Sequence, residues 1–113
     1  MKLINKSITL AQLKKMSSRI FGDLVKAVID IEKELIVIDA PMHADLEKYM
    51  LDTGSRQDDL WGINFYPEKQ GEDFVEFDSM INIRPRLNNF SRGVNNKKMQ
   101  QRIVNIVNKL VKK

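Results

Sequence analysis

The chain has no cysteine among its 113 residues. That excludes disulfides and thiolate metal sites, and it suits a reducing compartment. Long apolar runs are missing too. Leu35-Ile36-Val37-Ile38 is among the longest, far short of a bilayer span. After Met1-Lys2-Leu3-Ile4 the chain turns polar at Asn5 and Lys6, so the apolar core of a secretion signal never forms. The expectation is a cytoplasmic protein with no membrane partner. Several site signatures are also lacking: the G-x-x-x-x-G-K phosphate loop, the G-x-G-x-x-G turn, the G-x-S-x-G elbow and the His-Glu-x-x-His pair.

Acidic residues are absent from both ends. Residues 1–22 carry five bases and no acid, and residues 80–113 carry nine bases and no acid. All 15 acids lie between, among five bases. The net charge of +4 conceals this layout. Such blocks either neutralise one another in the fold or leave a basic and an acidic surface.

What is present reads as one domain over residues 1–113, since 42% hydrophobic residues suffice for a core at this length. Lys2–Asn5 reads as a short N-terminal edge strand. Thr9 and Gln12 make a capping box with Ile8 and Leu13 at the staple positions, so a helix starts at Leu10. It carries Leu10, Leu13, Ser17 and Ile20 on one face and stops at Gly22. Residues 24–32 and 35–38 read as an antiparallel hairpin with Asp30 on its polar face. Pro41 opens a second helix, with Met42, Leu46, Tyr49 and Met50 inward. Residues 60–66 form a third strand with Trp61 in the core. Residues 74–84 alternate for an unusual length, with Val75, Phe77, Ile81 and Ile83 on one face and Glu76, Asp78, Asn82 and Arg84 on the other. A last helix runs from about Asn96 to Leu110. The fold class expected is α+β: an antiparallel sheet of two hairpins, about four strands plus the edge strand, with three helices packed on one face. Val25, Ile29, Ile63, Phe77, Ile81 and Ile83 are expected inside.

Five segments taken together resemble a small prokaryotic family of proteins of unknown function. They are Val28-Ile29-Asp30-Ile31-Glu32, His43-Ala44-Asp45, Leu60-Trp61-Gly62-Ile63-Asn64, the run from Phe77 to Pro85, and Ser91-Arg92-Gly93-Val94. The resemblance spans essentially the whole chain and implies a cytoplasmic microbial protein. It implies no activity, cofactor or catalytic residue.

Three sets of residues can carry chemistry. Arg84, Arg86 and Arg92 lie within nine positions before a helix start, where arginine forks and free amides both suit an anion. Against this, the same arginines can bridge the acids of the central segment. His43, with Asp39 four residues earlier, can share a helix face for a metal ion or serve as a general base. Glu76 and Asp78 project together from a strand, a pair able to hold Mg²⁺. The favoured expectation is a small binding or regulatory module for an anionic partner, either nucleic acid or a phosphorylated ligand. Arg84, Arg86 and Arg92 would grip it, with Asn82 and Tyr66 adding contacts. The alternatives are a metal-dependent phosphoester hydrolase using Glu76, Asp78, His43 and Asp39, and a plain interaction module, such as a homo-oligomer joined through a sheet edge. No cofactor is expected apart from the divalent ion of the hydrolase alternative.

Overall fold

A computed structural model describes residues 1–113. The elements in chain order are β1 (Lys2–Ile4), β2 (Ile8–Thr9), α1 (Leu10–Ile20), β3 (Val25–Asp30), β4 (Leu35–Ile38), α2 (His43–Asp52), β5 (Leu60–Phe65), β6 (Val75–Glu76), α3 (Lys97–Leu110) and β7 (Val111–Lys112). Five strands make one antiparallel sheet in the order β1-β4-β3-β5-β6. The remaining two, β2 and β7, form a small parallel ladder that ties the start of α1 to the end of α3.

Local signals set the first helix as expected. Thr9 caps α1, its hydroxyl accepting from the Gln12 amide while the Gln12 side chain accepts from the Thr9 amide. Ile8 and Leu13 are fully buried, and Gly22 turns the chain at φ +89°. On the expected stripe Leu13 and Ser17 are buried, but Ile20 is exposed.

The helices do not share one face of the sheet. The larger core cluster joins Leu13 of α1 and Ile103, Ile106, Val107 and Leu110 of α3 to Ala27, Ile29, Ile36 and Ile63. A second cluster packs Leu46 and Met50 of α2 against Val28, Val37 and Leu60 on the opposite face. The reason is that β4 is apolar on both faces and that Val28 of β3 and Leu60 of β5 extend its second apolar face, so each face must be covered. Asp30, expected on a wet face, is buried instead. Its Oδ1 accepts from the Glu32 and Lys33 amides at 2.9 and 2.8 Å, closing the β3–β4 turn.

Two expectations about element ends fail. Pro41 does not open α2: the helix begins at His43 behind an extended Met42. Asp39 therefore lies outside the helix and shares no helix face with His43. The long strand over 74–84 is also not formed. Only Val75 and Glu76 pair with β5, and the chain then enters 3-10 turns at Met80–Asn82 and Pro85–Leu87. Val25, Ile29 and Ile63 are buried as expected, but Phe77 and Ile81 are only half-buried and Ile83 is exposed.

Candidate functional site

The pairing of β5 with β3 directs the main-chain groups of Leu60, Gly62 and Asn64 toward the side where β6 lies. β6 reaches only far enough to serve Asn64. Side chains from the following turns take the vacated ladder positions. The Asn82 carboxamide accepts from the Gly62 amide at 2.8 Å and donates to the Gly62 carbonyl at 2.9 Å. Its second amide hydrogen goes to the Arg92 carbonyl, also at 2.9 Å. Arg84 donates to the carbonyls of Leu60, Gln57 and Ile81, and its guanidinium lies 4.7 Å from the centre of the Trp61 ring. Asn82 and Arg84 are both buried, and both complete the sheet edge from within. Burial also holds the Arg84 pKa below the usual arginine value.

The other two arginines stand apart from Arg84 and keep outward faces. Arg86 pairs with Asp58, and the Arg92 Nε–H donates to Asp78 at 2.6 Å. The loop between them is organised by Asn89, which donates to the carbonyls of Asn82, Ser91 and Gly93 and accepts from the Asn95 amide. Asn96 caps α3.

Apart from Asp39, the remaining candidates gather around a residue that sequence reasoning overlooked, the buried Asn64. Its amide donates to Glu76 at 2.8 Å, and the Tyr66 hydroxyl donates to the same carboxylate oxygen at 3.1 Å. Burial first, and then this neighbouring carboxylate, push the Tyr66 pKa up. His43 lies close by, its Nε2–H donating to the Ile63 carbonyl at 2.8 Å. Asp39 is engaged elsewhere with Arg19 at 2.8 Å. No three of the histidine and carboxylate groups are placed together to hold one metal ion.

Burial makes His43 an acid-sensitive element. It depresses the imidazole pKa, with Lys26 acting in the same sense; the Ile63 carbonyl, Asp78 and Asn64 oppose the shift. A histidine whose folded pKa lies below its unfolded value of about 6.5 takes up a proton on unfolding between those two values. Its contribution is complete above about pH 6.5 and is lost as pH falls through the folded pKa. Thermal melts at stepped pH should show the wild type losing stability below about pH 6.5 with a steeper slope than His43→Gln. Parallel slopes for the two proteins would remove this role for His43.

Charge is distributed across the sheet in the same layered way as the core. The layer formed by α1 and α3 carries Lys14, Lys15, Arg19, Lys97, Lys98, Arg102 and Lys109 and no acid. On the other face α2 carries Asp45, Glu47 and Asp52 against Lys48. Four rim acids reach the basic layer, in the pairs Lys14–Glu68, Arg19–Asp39, Arg102–Glu32 and Lys109–Glu34. Lys15, Lys97 and Lys98 have no carboxylate within 4.0 Å and are exposed. The basic helices from the two ends of the chain thus lie on one side and are only partly neutralised.

Along α3 this layer is indented by a groove of about 670 Å³, walled by Lys97, Gln101, Val104 and Asn108 of the helix and by Val75 and Phe77 of the sheet margin. A smaller hollow of about 200 Å³ shares Gly71 and Asn108 with it and ends at Lys69 and Lys113. Lys97 and Lys98 were overlooked in the sequence, although a signal was there. Two cations in the first turn of a helix oppose its dipole and stand out as electrostatically unfavourable.

The fold and this surface define a three-layer α+β domain with one basic helical face. Residues 2–110 match the model of the family described as Protein of unknown function (DUF5674), and the chain belongs to that family. No curated protein and no solved structure matches the chain. No helix is long and apolar enough to cross a membrane.

Proposed function

We propose that this protein is a small binding module that recognises an anionic partner through the basic layer of α1 and α3. The observation that supports this reading is the segregation of charge across the sheet. Seven basic side chains and no acid lie on the two helices of one face, with Lys15, Lys97 and Lys98 left without carboxylate partners. Arg92, in the loop leading to α3, and Arg86 keep exposed surface and can add contacts. Arg84 cannot reach a partner while its donors serve buried carbonyls.

Lys97 and Lys98 provide the test. At the positive end of α3 they weaken the helix, and an anion there relieves the repulsion. Reversing both to glutamate should raise stability by about 0.5–2 kcal/mol, because acids suit the first turn. The same double variant should bind short RNA, DNA or polyglutamate about tenfold more weakly at low salt, with a flatter salt dependence. Anisotropy titrations at low and moderate salt read both quantities. Absence of binding to all three polyanions at low salt, or binding that ignores both salt and the Lys97→Glu/Lys98→Glu change, would defeat the proposal.

A further inference from the structure

Hydrogen-bond accounting at the sheet margin points to the kind of partner. In the β5–β6 ladder Asn64 faces Glu76 and Phe65 faces Val75, and the Tyr66 amide donates to the Phe74 carbonyl at 2.9 Å. Alternation along an antiparallel pair then makes Tyr66/Phe74 and Asn64/Glu76 the bonded pairs. The N–H and C=O of Val75 point the other way, off the edge of the sheet. Phe77 takes part in no main-chain hydrogen bond outside the helices and strands, and the same alternation leaves Val75 without a ladder partner on this side. Beyond Phe77 the edge is closed, because the Ser79 amide donates to the Arg92 carbonyl.

Val75 and Phe77 both line the groove beside α3. The groove therefore offers, two residues apart, the main-chain groups of an unpaired strand edge, with a helix as the facing wall. Only a polypeptide supplies donors and acceptors at the matching spacing of about 6.6 Å. Strand addition beside a helix is a general way of binding extended peptides, with main-chain bonds supplying affinity and side chains supplying selection. The selecting charges sit at the two ends. Lys97 lies at one end and Lys69 and Lys113 at the other, none of them with a carboxylate within 4.0 Å, against the single acid Glu72.

Resting on the anionic-partner reading above, we infer that the partner is an extended, acidic polypeptide segment that adds as a strand to the Val75–Phe77 edge in the groove along α3. The full-length, isotope-labelled protein can be titrated by NMR with three probes: an octapeptide alternating valine and glutamate, its valine–lysine counterpart, and a single-stranded RNA of uridines. The glutamate peptide should bind about tenfold more tightly than the lysine peptide. It should also slow hydrogen exchange at the Val75 and Phe77 amides. Gln101→Trp and Asn108→Trp, at exposed positions on α3, should fill the groove and weaken this binding by a similar factor while the melting temperature holds.

Salt-sensitive binding of the glutamate peptide with unchanged exchange at Val75 and Phe77 would overturn the strand-addition inference and leave the anionic reading standing. Binding of the RNA but not of the glutamate peptide would do the same. Protection of these two amides on concentrating the protein alone, with a doubling of mass, would assign the edge to a second copy and overturn it too. Absence of binding by every probe would remove both readings.

Discussion

Asn82→Ala is expected to lower stability by about 3–4 kcal/mol and the melting temperature by roughly 10–20 °C. Asn82 is fully buried, and its carboxamide makes two bonds with Gly62 and one with the Arg92 carbonyl. Truncation leaves the Gly62 amide, on a buried strand, without an acceptor. An unsatisfied buried donor costs about 1–3 kcal/mol by itself. Two carbonyls lose donors and a small cavity opens, which adds to the loss. Asn82→Asp should be no milder, since it keeps an acceptor for Gly62 but removes both donors and buries a charge. Water cannot easily take over, because Ser79 packs directly on Gly62: a Cβ at that glycine would meet Ser79 atoms at 2.6 Å. Urea unfolding of the two variants measures the effect. A change under about 1 kcal/mol would mean that the Gly62 ladder position is satisfied in another way.

Arg84→Ala is the second large effect, a loss of about 3 kcal/mol, with Arg84→Lys recovering less than half. The guanidinium donates to three carbonyls in different directions and stacks on Trp61. Lysine keeps the charge but cannot present a planar fork to those oxygens or a flat face to the indole. The loss is tempered because a buried cation, costly in itself, is removed as well. Arg92→Ala should cost no more than about 1 kcal/mol, because its bond to Asp78 is half-exposed. Together the two substitutions separate scaffold from surface. Polyanion binding corrected for the folded fraction should survive in Arg84→Lys. Loss of binding in a folded Arg84→Lys protein would return Arg84 to the partner-binding surface.

The misread strand over residues 74–84 explains why these residues looked like ligands. Period-two alternation reports side-chain direction and nothing about hydrogen-bond partners. Glu76, Asp78, Asn82 and Arg84 do alternate with apolar residues. Asn82 and Arg84, however, turn inward to serve Gly62 and Leu60, some twenty residues away in sequence. Polar side chains that substitute for a strand leave the same sequence pattern as polar side chains that face solvent. Asn64 was missed for a related reason: within β5 it reads as an outward polar position, and only Glu76, Tyr66 and the nearby helix α2 make it a buried junction.

By itself the sequence determined the features that act between near neighbours along the chain. The Thr9–Gln12 box started α1, the short polar turn after Asp30 folded β3 onto β4, Asn96 capped α3, and the branched residues of β3 and β4 and the alternating Trp61, Ile63 and Phe65 of β5 specified strands. Tertiary structure decided everything that acts across long sequence separations. It carried α2 to the face opposite α1 and α3, because Val28, Val37 and Leu60 needed apolar cover on that side. It joined the two basic ends through the β2–β7 ladder. It also gave Asn82 and Arg84 to the sheet and left the edge at Val75 and Phe77 open. Hydrogen bonds and Coulomb forces depend on distance in space, and for these residues no spacing along the chain encodes that distance.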